Sequence, residues 1–592
     1  MGILLLALRY RGYLLDTESQ LLYGLIPLLL ASLFLFEKPM RAFRFTDGLL
    51  FLFLGFLGGS FLFAQHPFGF FEFTTFFVGA LLYASVRFLK LPKLPYRESF
   101  VALGAIFSTY AFLHFLISPA DRLSGFFHGY EAYTFYPNAA ALLLLPVLIF
   151  NVELCLKKTR VWHGLLFLNL AAFMLTFSRA AYLVALCCIV LAGVFSFRFL
   201  FKKNVFKKLS LLFLTTLCSL SFALGLNFLK VDGLVVSERL LLKDDAGFTS
   251  VSERIDFWEG AWKITQDHPW FGVGPGGFSA FYPSYQEQWL ALSDHPHNVL
   301  LKLSSEAGIP AAVLFSSFLL LLFLPSGWRL LKGMQPSEVS VWLAAAAFLG
   351  HNLLDYNLNF TVLSGLFFVL LAALANTEKG TESVFKKTQK MFYGFAVLSI
   401  FVSGITLWEG VLLVQTRSLQ ELYETNPQDE RLSAHLENPT PLPFEMNHFD
   451  AYANMALALK NEAALERFLS RFQNYSTYYR WLYFKAQLDP HFVDELLLAN
   501  GKNELEYHYL FYKERAPEDA EAVHDLLRLY TALLSANAHM TVLSQNPIFA
   551  EKLCALYDAE ELKKSCETFE KVWALEVYKF NQRYGTSLTS HP

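Results

Sequence analysis

A chain of 592 residues that is 54% hydrophobic and only 17% charged departs from soluble domains, which carry about 25% charged residues. Phenylalanine alone accounts for 61 positions, which excludes a disordered chain and an ordinary soluble enzyme. The net charge of −3 gives no reason to expect nucleic acid or another polyanionic partner.

Apolar stretches near the length of a membrane span, about 20 residues, recur through the first 415 positions. They lie at roughly 20–36, 47–64, 69–89, 99–118, 138–156, 162–178, 180–199 and 208–229, then at roughly 297–324, 338–354, 358–376 and 392–415. The pattern predicts an all-α polytopic membrane protein with about 12 transmembrane helices. Lys and Arg set the orientation. Lys38, Arg41 and Arg44 share one loop, and Arg87, Lys90, Lys93 and Arg97 lie two loops later. Lys157, Lys158 and Arg160 follow, then Arg198, Lys202, Lys203, Lys207 and Lys208, then Arg329 and Lys332, then Lys379, Lys386, Lys387 and Lys390. These clusters fall in every second loop, so those loops are expected in the cytoplasm. The segment 119–137, the turn at Ser178 and Arg179, the long segment 230–296 and everything after 415 are expected outside. Residues 1–8 (MGILLLAL) are too short to span and lack the basic region and cleavage site of a signal peptide. As the end of a first helix they would leave Arg9 and Arg11 facing outward, against the charge rule.

Composition changes near 416. Residues 416–592 hold 17 basic and 26 acidic side chains, a net of about −9, against about +6 for the rest. The expected domains are a transmembrane part at 1–415, a linker at 416–450 that includes the Pro-containing ENPTPLPFE (437–445), and an extracytoplasmic α-helical domain at 451–592. AYANMALALKNEAALERFLSRF and APEDAEAVHDLLRLYTALL have helical apolar spacing. Helical hairpins follow, and a tetratricopeptide-like array would suit the region, although no clean repeat of about 34 residues is visible. Cys155, Cys187, Cys188 and Cys218 lie in or beside spans as small apolar residues. Cys554 and Cys566 share the tail, where a disulfide is permitted. No Cys/His spacing suggests zinc, so no metal is expected.

Ionisable residues at the membrane are costly and point to function. Arg179, in LTFSRAAYLV, is either a snorkelling helix-end residue or an anion-binding guanidinium. SVSERIDFWEGAWKITQDHPWFGVGPGGF (250–278) begins with a capping-box pattern from Ser250 to Glu253. Arg254, Trp258 and Ala261 then share one helical face, with Arg254 in the first turn, as a solvated charge or as an anion ligand. GVGPGGF (272–278) lacks a preceding strand and contains Pro275, so it is a turn and not a nucleotide loop. DHPHNVLLKLSSEAGIP (294–310) places His295 and His297 at the outer mouth of a span, with Asn298, Lys302, Ser305 and Glu306 recurring about a turn apart. A neutral imidazole there can take a proton from a hydroxyl. Arg122 and Gly125 precede YPN (136–138), and HNLLDYNLNF (351–360) puts His351 and Asp355 on one helical face. Asp355 either fixes a neighbouring cation or caps a helix.

Taken together, RLSGFFHGYEAYTFYPN, TFSRAAYLV, SERIDFWEGAW…HPWFGVGPGGF, HNVLLKLSSEAGIPAAVLF and HNLLD resemble the O-antigen ligase and polymerase superfamily over roughly 20–415. The resemblance implies a GT-C-type glycosyltransferase without metal, cofactor or nucleotide sugar. The implied donor is a glycan on undecaprenyl pyrophosphate at the outer leaflet. The acceptor is a hydroxyl of a glycolipid, another glycan or a protein. Arg179 matches the family's SR arginine, Arg254 the arginine opening the long-loop helix and His297 the HN histidine. The arginines would hold the pyrophosphate and His297 would be catalytic, with inversion at the sugar. Arg122, Asn298, Glu306 and Asp355 would support them. The chain departs from the pattern at Lys302, where the motif often has Gln, and in its long tail, which the simplest ligases lack and which would recruit an acceptor or partner. An oligosaccharide ligase or O-oligosaccharyltransferase is the first expectation and a repeat-unit polymerase of the same superfamily the alternative. A lipid-linked glycan transporter would need repeated halves and polar residues at the midplane. A plain membrane anchor leaves the polar helix at 297–306 unexplained.

Overall fold

The computed structural model describes residues 17–489 and 560–584, apart from 38–40, 42, 64–68, 90–94, 119–121, 128–135, 158–159, 201–204, 232–251, 286–292, 333–335, 378–385, 427–428, 438–445 and 473–478. The described residues are α-helical and contain no strand. The twelve apolar runs each become a helix. The first eight are α1 (Thr17–Phe36), α2 (Phe45–Phe63), α3 (Phe70–Phe88), α4 (Tyr96–Ile117), α5 (Pro137–Lys157), α6 (Val161–Leu175), α7 (Arg179–Leu200) and α8 (Val205–Val231). Two helices of the long loop follow, α9 (Ser252–Asp267) and α10 (Phe278–Tyr285). The remaining apolar runs form α11 (Val299–Leu331), α12 (Pro336–Leu354), α13 (Thr361–Asn376) and α14 (Lys386–Thr425).

Among the described residues, six helices are long and apolar enough to cross a membrane by length and composition: α2, α4, α5, α11 and the Lys208–Lys230 and Phe392–Leu412 parts of α8 and α14. Five further helices have shorter apolar stretches, so the six fall short of the expected total of about 12. The chain is an all-α, multi-pass membrane protein. Helices suit that medium because they satisfy their own backbone polar groups.

Several helices pack in pairs distant in sequence, α1 against α14, α2 against α11, α3 against α13 and α5 against α12, while α5 also packs on its neighbour α6. Small residues allow close approach, with Gly79 against the Phe368 ring and Gly104 against Val147. Among the described residues, Arg41 and Arg87 from two of the basic clusters meet at one end of the helices, on Asn376. There Arg87 Nε lies 3.3 Å from the buried Asp47 carboxylate, and Arg41 donates to Asn376 Oδ1 at 2.5 Å. Arg97, next along the chain at that end, pairs with Glu153 at 2.9 Å. The loop helices α9 and α10 pack against α11.

The chain then leaves the membrane part on a continuous helix. α14 runs for 40 residues to Thr425, beyond the boundary expected at 415. The tail continues as α15 (Glu430–Glu437), α16 (Met446–Ala458), α17 (Glu462–Ser470), α18 (Tyr479–Leu488) and α19 (Glu560–Tyr584). Asn461 caps α17 by accepting from Ala464 N at 3.1 Å. Most of ENPTPLPFE and the second helical motif, at 516–534, lie outside the described residues, so α16, α17 and α18 are what bears on the hairpin expectation. Cys155, Cys187, Cys188 and Cys218 are free and Cys566 is disulfide-bonded, while Cys554 lies outside the described residues.

Candidate functional site

The site is built around the start of α11. Asn298 has extended backbone and caps the helix: its Oδ1 accepts from Leu300 N at 2.9 Å and from Leu301 N at 3.1 Å. Its amide also donates to Leu353 O at 3.0 Å, which ties the α11 N-terminus to the α12 C-terminus. Asn298 is therefore a structural clamp. His297, one residue earlier, has φ +50°, a left-handed conformation uncommon in non-glycine residues. That backbone turns its ring towards the end of α12.

There Nδ1 of His297 meets Oδ1 of Asp355 at 2.6 Å. The other carboxylate oxygen of Asp355 accepts from Asn138 Nδ2 at 2.5 Å and lies 3.8 Å from a guanidinium nitrogen of Arg254. Asn138, in the first turn of α5, in turn accepts from Arg122 at 3.1 Å. Arg122 also donates to Thr176 O at 2.8 Å and Phe177 O at 3.3 Å. It thus grips the turn between α6 and α7, where Phe177 has φ +46°. Arg179 opens α7 immediately after this turn and is half-buried. The carboxylate of Asp355 links three segments directly and the Arg122 turn through Asn138.

Burial alone would raise the Asp355 carboxyl. The charge and hydrogen bond of His297, with His351 and Arg254 behind them, reverse that and hold it well below the usual carboxylate range. Two aromatic contacts shape the histidine. Phe257 of α9 stacks on the His297 ring, with centroids 5.4 Å apart and planes at 27°. His295 meets it edge-on at 4.5 Å and also touches Tyr356 at 5.3 Å. Burial pushes His295 well below its ordinary value, with His297 and Lys302 adding to the effect, so it stays neutral. A carboxylate-oriented imidazole beside guanidinium groups has the equipment to take a proton and to hold an anion.

Glu306 lies two turns further into α11 and does a different job. Its carboxylate accepts from Gly276 N at 2.9 Å and Phe278 N at 3.3 Å. Lys302 Nζ lies 2.6 Å from it and 3.5 Å from Glu72. The extra cation expected at Lys302 is therefore balanced by two carboxylates. The stripe of polar side chains on α11 is largely satisfied from within, since Ser305 Oγ also bonds to Leu301 O at 2.8 Å.

These contacts explain GVGPGGF. Val273 N donates to Ser305 O at 3.0 Å, Gly274 N to Glu306 O at 2.8 Å and Ile309 N to Pro269 O at 2.8 Å. The loop lies backbone to backbone against α11 at its kink, where Gly308 has φ +84°. Ser60 of α2 donates to Phe271 O at 2.5 Å and to Glu306 O at 2.8 Å. A Cβ on Gly308 would stand 2.2 Å from Trp270 O, and one on Gly272 (φ +63°) 2.3 Å from Glu306 C. Gly308→Ala and Gly272→Ala are each expected to cost more than the roughly 1–2 kcal/mol of left-handed strain, because the neighbour is backbone and does not yield. Gly55→Ala, with open space around it, is the control. Thermal unfolding in detergent distinguishes them, and an unchanged Gly308→Ala midpoint contradicts the clamp.

The structure brings together Arg122, Arg254, His297, Asn298 and Asp355, with Arg179 following the turn that Arg122 grips, and it leaves Glu306 on the glycine loop. Asn138 and Phe257 were not singled out as site residues from the sequence. Asn138 sits in the noted YPN motif, whereas nothing in the sequence marks Phe257 among 61 phenylalanines. Among the described residues no group of His, Cys, Asp and Glu has the geometry to hold a metal.

No curated protein matches the chain. Residues 164–316, from α6 to the first half of α11 and including Arg179, Arg254 and His297, match the family model described as O-Antigen ligase. Over that quarter of its length the chain is similar to O-antigen ligases, and the matched stretch carries three of the site residues.

Proposed function

We propose that this protein moves a glycan from undecaprenyl pyrophosphate to an acceptor hydroxyl at the outer face of the plasma membrane, as an oligosaccharide ligase or O-oligosaccharyltransferase. The observation that carries the reading is the His297–Asp355 contact of 2.6 Å with the Arg254 guanidinium 3.8 Å from the same carboxylate.

In this reading Asp355 holds the proton of His297 on Nδ1, which leaves Nε2 as the basic atom. The acceptor hydroxyl attacks the anomeric carbon, and its proton passes to Nε2. The bond from that carbon to the pyrophosphate oxygen breaks, and the electron pair leaves with the lipid pyrophosphate. Attack from the face opposite the leaving group inverts the anomeric centre. Arg179 and Arg254 take up the charge that develops on the pyrophosphate, the kind of fixed electrostatic help that acts most strongly in a water-poor site. Arg122 supports them by fixing the turn before Arg179. Asn298 and Glu306 keep α11 and the glycine loop in place. The extracytoplasmic placement rests on the Lys and Arg clusters in every second loop of the sequence, which leave the segments holding the site on the other side. The acceptor is a glycolipid, another glycan or a protein hydroxyl.

The test is the carrier and chain length of the glycan that accumulates in a deletion strain. Long polymer still on undecaprenyl pyrophosphate is the expected result and identifies the missing step as transfer. Single repeat units on that lipid overturn the ligase assignment in favour of chain extension by a polymerase.

A further inference from the structure

The helices of the tail and those of the long loop bury their apolar faces in one cluster. From the loop come Phe257, Ala261 and Ile264 of α9, Val273, and Phe278, Phe281 and Tyr282 at α10. From the tail come Leu432 and Leu436 of α15, Phe449 and Tyr452 of α16, Phe468 of α17 and Trp481 of α18. Leu301, in the first turn of α11, packs against the same cluster. The tail part is firm. Tyr452 stacks on Phe468 with centroids 4.1 Å apart, and its hydroxyl donates to Leu436 O at 2.6 Å.

The α9 face in this cluster is set by helical spacing. Phe257, Ala261 and Ile264 stand at i, i+4 and i+7, while Ile255 and Trp262 on another face are exposed. The same helix reaches the site twice, because Arg254 approaches Asp355 and Phe257 stacks on His297. A helix turns about 100° per residue, so a small rotation of α9 withdraws both groups together. Leu301 brings the first turn of α11, four residues after His297, into the same joint.

We propose that the C-terminal helices are a working part of the transfer site: they fix the rotation of α9, and through Phe257 they hold the His297 ring in its reactive position. This rests on the reading of His297 as the base. Phe257 is then a positioning residue, and the tail is more than an acceptor-docking module.

The experiment uses the full chain in detergent with total lipid-linked glycan extracted from the deletion strain. It compares wild type with Phe257→Leu, Phe257→Tyr, Phe468→Ala and His297→Ala. Because a displacement of about 1 Å can cost on the order of 100-fold in rate, Phe257→Leu is expected to lower kcat by about 10- to 100-fold with KM for the lipid-linked glycan changed less than about twofold. Phe257→Tyr keeps a flat ring and is expected to restore most of the rate, which a role in filling space would not require. Phe468→Ala, in the tail core, is expected to lower kcat in the same way and to raise amide hydrogen exchange across 252–267. Wild-type kcat in both Phe257→Leu and Phe468→Ala, with His297→Ala inactive, overturns the inference and leaves the base assignment standing. A rise in acceptor KM alone in Phe468→Ala also overturns it and makes the tail a docking surface. Activity in a folded His297→Ala overturns the base assignment itself. Should Phe468→Ala not yield folded protein, the Phe257 pair decides, since it leaves the tail sequence intact.

Discussion

Replacing His297 with alanine is expected to lower glycan transfer by roughly 10²–10⁴-fold while the lipid-linked donor still binds. The loss corresponds to about 3–5 kcal/mol of transition-state stabilisation. On the proposed mechanism it falls on the rate, because there the imidazole accepts a proton only as the new glycosidic bond forms. The capping of α11 is carried by Asn298, so the helix start survives the change. The variant also removes a side chain with φ +50° without asking the backbone to move. Donor binding by photo-crosslinking and turnover on the same preparation separate the two effects. A folded His297→Ala protein with wild-type turnover removes the histidine from the mechanism.

Asp355→Asn is expected to be nearly as damaging, for a different reason. One carboxylate oxygen faces His297 Nδ1 and the other faces Asn138 Nδ2 and Arg254. An amide accepts hydrogen bonds on one side only. It therefore sets a donor against Asn138 and Arg254, or it drives the imidazole into the tautomer whose Nε2 carries the proton. The second outcome removes the base, with a loss on the order of 10²–10⁴-fold. The first leaves Arg254 and Asn138 each facing a donor in place of an acceptor, which lowers stability. Thermal unfolding and turnover are both expected to fall. Because the Asp355 carboxyl lies below its ordinary value, the stability it confers is present at neutral pH and is lost only as pH falls through that lowered value. A variant with unchanged transfer and melting would remove Asp355 from the site.

The fold was legible where local pattern decides it. Runs of apolar residues gave the twelve helices of the membrane part to within a few residues at most ends, because in lipid a continuous apolar segment has few structural options. Arg254 falls in the first turn of α9 as its spacing indicates. The site was legible as separate marks. Arg122, Arg254, His297 and Asp355 each stand out as costly residues near apolar ones, but the meeting of Arg254 and His297 at the Asp355 carboxylate, with Arg122 linked through Asn138, depends on contacts across as many as 217 positions, as between Asn138 and Asp355. No periodicity within a single segment carries that information. Glu306 shows how a supporting role differs from a chemical one. A carboxylate inside an apolar helix reads as chemistry, yet backbone amides of a glycine loop and a lysine already satisfy it. That the tail and α9 share one apolar cluster was invisible for the same reason as the convergence, since Phe257 and Phe468 read as ordinary core residues in sequence.

The continuity of α14 has a consequence for how an acceptor is met. Its 40 residues make a rod about 60 Å long at 1.5 Å per residue, rooted beside α1 and ending against α15. A module on a flexible tether sweeps a volume, and its linker length sets the effective concentration at which it delivers cargo. A module on such a rod has no volume to sweep. Under the proposed function, an acceptor that docked on these terminal helices would be presented at a fixed height and bearing, and the search would fall entirely to the incoming molecule.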